Sequence, residues 1–146
     1  MIGRVFRVLA LASLPALTPG IVHTQQVAAR SVKDGVYTAV QAKQGKVVYE
    51  EHCLECHGSM ASATPDMAPL LNDHVFQAAW KDRSLGELFD KIRNTMPPNK
   101  AGTLSPQQLV DLIAYVLSAN ALKAGDVPLT DDPETLKQIR LETGPP

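Results

Sequence analysis

The chain has 146 residues, a formal charge of −1 at neutral pH, 45% hydrophobic and 5% aromatic residues, and two cysteines. That charge argues against nucleic acid as a partner, and the length suits one domain behind a short leader. With so few aromatic side chains, the protein's own contribution to a core is modest.

Arg4 and Arg7 make a positive start, and Val8 to Leu17 is apolar apart from Ser13 and Pro15. The run is too short, and too broken by Pro15 and Pro19, to span a bilayer, so residues 1–24 read as a secretory signal. Val22-His23-Thr24 before Gln25 is one cleavage site and Val27-Ala28-Ala29 before Arg30 is another; an uncleaved amphipathic anchor is the competing reading. No later segment approaches the length of a membrane helix, so no stable membrane insertion is expected. Without Arg4 and Arg7 the formal charge moves from −1 to −3.

Residues 25–36 are polar and unpatterned and read as a loose lead. Thr38-Ala39-Val40-Gln41 is a capping box, which predicts a helix from Thr38 to Glu51 or His52. Gly45 inside it, with Tyr49 one turn on, predicts a close helix crossing, because an interior glycine otherwise costs about 1 kcal/mol against alanine. Residues 58–71 have loop composition, and Asn72 or Asp73 caps a short helix ending at Trp80. Ser84 to Glu87 is a second box, opening a helix with Leu85, Leu88, Phe89 and Ile92 on one face. Pro97 and Pro98 stop it at Thr95 or Met96. Ser105 to Gln108 is a third box with Pro106 at the first helical position, followed by a stripe of Leu109, Leu112, Ile113 and Val116. A last short helix from Asp132-Pro133 carries Leu136 and Ile139, in an acidic tail read as a solvated strap or a partner-docking arm, and residues 143–146 read as frayed. No strand pattern is visible, so the fold class is all-α, with about four to five helices.

Between the first helix and the loop stands Cys53-Leu54-Glu55-Cys56-His57, which uses both cysteines. C-x-x-C-H is the attachment pattern of a c-type haem: two thiols on one turn meet the two vinyl groups, and the next residue places an imidazole under the iron. A thioredoxin-like motif would need a preceding strand and a βαβ pattern, and a structural zinc site needs four ligands that His23, His52 and His74 do not complete. Export agrees with haem c, since thioether bonds consume thiols that would otherwise oxidise. A buried porphyrin would supply apolar bulk that this sequence lacks, so the chain without it is expected to fold poorly.

For the second axial position the candidates are few. Met60 and Met67 follow His57 too closely, and His52 lies on the approach helix. Met96 comes after a complete helix in a Met-Pro-Pro loop whose prolines hold the backbone extended and remove two amide donors. His74 is the alternative. Imidazole and thioether together raise the reduction potential and leave no open iron site, so one-electron transfer is the chemistry that remains.

With these residues in view, the chain resembles class I c-type cytochromes over Thr38 to Leu122. The features are Gly45 and Tyr49, Cys53 to Gly58, Ala68-Pro69-Leu70, Met96-Pro97 and Asp111 to Tyr115. The resemblance implies a cytochrome c domain at 37–122, with a C-terminal extension at 123–146. It implies haem c bound by Cys53 and Cys56, His57 and Met96 on iron, the Pro69 carbonyl orienting His57, and Trp80 near a propionate. It further implies crossing of the terminal helices through Gly45, Tyr49, Leu112 and Tyr115. Residues 84–98 and the tail are similar to monohaem cytochromes associated with quinoprotein (PQQ-dependent) alcohol dehydrogenases of bacterial periplasms. The expected function is therefore a soluble periplasmic carrier of single electrons, not itself an enzyme, with a PQQ-dependent dehydrogenase and a terminal oxidase as redox partners. A fixed haem-c subunit of a dehydrogenase or oxidase complex stays open beside it, as does a gas-binding or peroxidase-like protein with open iron. Lys81, Arg83, Lys91, Arg93 and Lys100 make the Met96 side mildly basic, offset by Asp82, Glu87 and Asp90, and no lysine ring surrounds the site.

Overall fold

The structure is a computed structural model, and it describes residues 30–60 and 74–142. The elements in order are β1 (Arg30–Ser31), a 3-10 turn (Val32–Asp34), α1 (Ala39–His52), α2 (Leu54–His57), α3 (His74–Trp80), α4 (Leu85–Thr95), α5 (Pro106–Ala119), α6 (Pro133–Lys137) and β2 (Ile139–Arg140). The all-α class holds, with six helical segments among the described residues where four or five were expected. The leader, the loop carrying Met67 and Pro69, the Asn72 or Asp73 cap and the frayed end all lie outside the described residues.

Each of the three boxes begins a helix where the sequence placed it. Thr38 accepts from the Gln41 amide at 3.2 Å while Gln41 returns a carbonyl to the Thr38 amide at 3.3 Å. Ser84 with Glu87 and Ser105 with Gln108 repeat this reciprocal arrangement, so donors at each helix start are satisfied locally. The fourth helix stops at Met96, as Pro97 and Pro98 require.

The core centres on α5, which is buried nearly all round: Leu109, Val110, Leu112, Ile113, Ala114, Val116 and Leu117 are all inside. Helix α1 crosses it at Gly45, where an added methyl would overlap the Asp111 carbonyl. Only a residue without Cβ lets the two backbones approach so closely. One turn along, the Tyr49 and Tyr115 rings pack 5.3 Å apart at 56°, within the range of favourable aromatic contacts.

Three expectations change. The lead is not loose from Arg30 onward: Val32, Val36 and Tyr37 are buried. The tail is a strap, but not a solvated one, since Leu129, Leu136, Ile139 and Leu141 are each less than 5% exposed. And lead and tail form a two-residue parallel strand pair, Arg30 beside Ile139 and Ser31 beside Arg140, so Ile139 belongs to a strand and not to the last helix. The strap is tied at several points. Gln41 donates to the Leu129 carbonyl and accepts from its amide, both at 2.8 Å. The Gly125 amide donates to the Tyr37 carbonyl at 2.7 Å, and a methyl on Gly125 would overlap the Gly35 carbonyl. Leu141 exchanges backbone hydrogen bonds with the turn between α3 and α4, donating to Arg83 at 2.7 Å and accepting from Asp82 at 2.9 Å.

Candidate haem site

The C-x-x-C-H segment is a short helix set at an angle on the end of α1. Cys53 ends α1, donating to the Tyr49 carbonyl at 2.9 Å, and leaves helical geometry at φ −124° and ψ −31°. Its own carbonyl then accepts from the His57 amide at 2.9 Å, closing one turn that holds both cysteines and the histidine. Gly58 ends that turn at φ 67°. The Tyr49 hydroxyl donates to the Gly58 carbonyl at 2.7 Å, so the residue that fills the helix crossing also pins the far end of the motif. The sequence placed Tyr49 in the crossing and missed this second contact, which spans nine positions and has no local signature.

Both thiols are free. That of Cys53 packs against the core, and burial, with the nearby Cys56 thiol as a second cause, pushes its pKa up to about 11. That of Cys56 is exposed. Burial likewise raises the Tyr49 phenol to about 12, so it remains a donor to Gly58.

Met96 caps α4 in extended conformation, φ −125° and ψ 144°, with its side chain half-buried against the core. The loop that follows turns back through a Lys100 amide to Pro97 carbonyl bond of 2.8 Å. A cleft of about 470 Å³ separates this loop from the motif turn, with Leu54, Glu55 and Cys56 on one wall and Pro97 to Lys100 on the other. Two segments some 40 positions apart in the chain thus face each other across one opening. His52, set aside in the sequence reading, also lines the cleft, its imidazole 3.7 Å from the Glu51 carboxylate. His74 is exposed at the start of α3 and does not line it.

Trp80 ends α3, half-buried, with Phe76 at 6.2 Å and the Arg83 guanidinium 4.5 Å from its ring centre. Arg83 also pairs with Glu87 at 3.0 Å. A cation over the indole face suits a tryptophan at the protein surface. Pro69 lies outside the described residues.

The donor set fits haem c. Among the described residues, no group of three or more His, Cys, Asp or Glu side chains could hold a metal ion. Two unpaired thiols on one turn, an imidazole next to them and a thioether on the facing loop match a group that brings its own iron.

Residues 40–116 match the protein family described as cytochrome C oxidase, cbb3-type, subunit III. The chain belongs to that family of c-type cytochrome domains. The matched stretch contains Cys53, Cys56, His57 and Met96, and a cytochrome c domain implies haem-based electron transfer. No curated protein sequence matches the cytochrome. Among solved structures, a chain of the sulfane dehydrogenase SoxCD from Paracoccus pantotrophus is similar over 90% of this chain and 68% of its own, with 21% identity and a TM-score of 0.47. That likeness is too loose to bear on function. Among the described residues, no helix is long and apolar enough to cross a membrane.

Proposed function

We propose that the cytochrome is an exported, periplasmic electron-transfer protein carrying one haem c, joined through Cys53 and Cys56 and held on iron by His57 and Met96. The observation that carries this reading is the cleft in which the motif turn and the Met96 loop face each other. Haem c supplies reversible one-electron exchange at its iron. The protein's part is to fix the two cysteines and His57 on one turn, braced by Tyr49 through Gly58, and to present Met96 from a loop stiffened by two prolines. A neutral thioether and apolar surroundings both favour the reduced state and raise the potential. Pro69 is assigned to orient His57 through its carbonyl, and Trp80 to a propionate. Residues 1–24 are assigned to an export signal, 37–122 to the cytochrome domain and 123–146 to an extension.

The resemblance of residues 84–98 to cytochromes of quinoprotein dehydrogenases supports such a dehydrogenase as donor and a terminal oxidase as acceptor. The family's description, an oxidase subunit, supports a second reading: a haem-c subunit fixed in a dehydrogenase or oxidase complex. Co-purification with a large partner favours the second, and monomeric elution at low salt the first. The ligand assignment is tested with Met96→Ala in exported protein. The expected result is loss of the weak long-wavelength ferric band of sulfur-ligated iron, a lower potential, and CO binding to the reduced form. An unchanged spectrum and potential would remove Met96 from the iron.

A further inference from the structure

Cys56 meets solvent at the cleft between the motif turn and the Met96 loop. Part of its lining is apolar: Leu54 is 38% exposed, and Pro97 and Pro98 lie across from it. Its rim is acidic. Glu50, Glu51 and Glu55 line it, and among the described residues the one lysine lining it is Lys100. Glu50 is partly balanced by Lys46 at 3.6 Å, but both side chains are more than half exposed, so the pair is screened. Glu51 faces His52, which leaves its charge standing when the imidazole is neutral. Glu55 makes no ion pair among the described residues. Exposed apolar residues flanked by charged ones suit a transient docking face, and like-signed faces would repel a second copy of this chain.

We infer that this cleft is the docking face for the redox partner, and that the partner is a protein presenting lysines and arginines around its own redox centre. This rests on the proposed haem site. The acidic rim steers a basic partner in, Leu54 and the two prolines make the contact, and one electron passes from the ferrous cytochrome to the partner's oxidised centre.

Two measurements on the haem-loaded protein test it. The first maps amide shifts on adding octalysine. Changes concentrated at Glu50 to Cys56 and Asn99 to Lys100 support the docking face, and changes elsewhere, or none, overturn it. The second follows oxidation of the ferrous protein by tris(phenanthroline)cobalt(III), a cation with an apolar surface that takes one electron to become cobalt(II), and by anionic ferricyanide. At low salt, Glu51→Lys/Glu55→Lys should slow the cobalt reaction about tenfold and speed ferricyanide, and Lys100→Glu should do the reverse. Asp131→Lys/Glu134→Lys, which changes net charge equally on the strap, should have a clearly smaller effect. Equal effects of the two double variants would show that overall charge, not this face, governs the rate. If the double cleft variant fails to load haem, Glu51→Lys and Lys100→Glu carry the same comparison. Failure to load haem in the unaltered protein would instead defeat the underlying haem assignment.

Discussion

The α1–α5 crossing and the cleft beside Cys56 are built from neighbouring stretches of chain, in α1 and α2, yet they are opposite in character. At Gly45 two backbones touch, and among the described residues no buried side-chain nitrogen or oxygen lacks a hydrogen-bond partner. Beyond the end of that helix, Leu54, Glu55 and Cys56 are exposed. The crossing has its partner within the chain, while the cleft leaves Leu54, Glu55 and Cys56 open opposite Pro97 to Lys100. The difference separates what the chain does to fold from what it keeps for a cofactor and a partner. Disturbing the first should change stability, and disturbing the second should change spectra and rates.

The harshest way to break this comparison is to delete the strap. Truncation after Leu122 removes Leu129, Leu136, Ile139 and Leu141, all buried. At about 1.5–3 kcal/mol for each buried aliphatic side chain, the loss rivals the whole stability of a typical domain, about 5–15 kcal/mol. Loss of the cooperative thermal transition is expected; a truncated protein melting within a few degrees of the full chain would make the strap a dispensable extension. Next is Gly45→Ala, whose methyl must force α1 off the Asp111 carbonyl. A loss of about 3 kcal/mol in urea unfolding is expected from such overpacking, with the haem spectrum of the protein that folds unchanged.

Gln41→Ala comes third. It leaves the buried Leu129 amide and carbonyl without their partners, which should destabilise by about 2 kcal/mol. The same substitution should speed proteolysis within the strap and leave electron-transfer rates as they were. The smallest effect is acidic. The Ser84 amide, then the Arg83 side chain, hold the Glu87 carboxyl below its ordinary range, and Thr135 does the same for Asp132. Groups with depressed folded-state pKa values stabilise the fold above their unfolded values, and that contribution disappears as pH falls through the folded ones. Melting temperature should therefore drop on acidification below the usual carboxylate range, and drop less steeply in Glu87→Gln. Both carboxyls are exposed, so the change is slight.

Local signals in the sequence located most of the helices. Thr38 with Gln41, Ser84 with Glu87 and Ser105 with Gln108 satisfy helix ends within four residues, and two prolines stop a helix without help from elsewhere. Cys53 to His57 is equally local, because a haem needs its two thiols and imidazole on one turn. Even the crossing at Gly45 was readable, since an interior glycine needs a reason. The strap was not. Leu136 and Ile139 have the spacing of a short helix, but Leu129 and Leu141 stand outside it, and their charged neighbours suggest a solvated tail. Their burial comes from contacts with residues far away in sequence, Gln41 and Arg83 among them.

By itself, then, the sequence determined the helix starts and stops, the close crossing and the haem-attachment turn, because each depends on interactions within a few residues. The tertiary structure alone decided that lead and tail pair as strands and that Tyr49 braces Gly58. It also decided that Cys56 faces the Met96 loop across an acid-rimmed cleft. Those arrangements depend on which distant surfaces can be buried together, and no short stretch of chain encodes that.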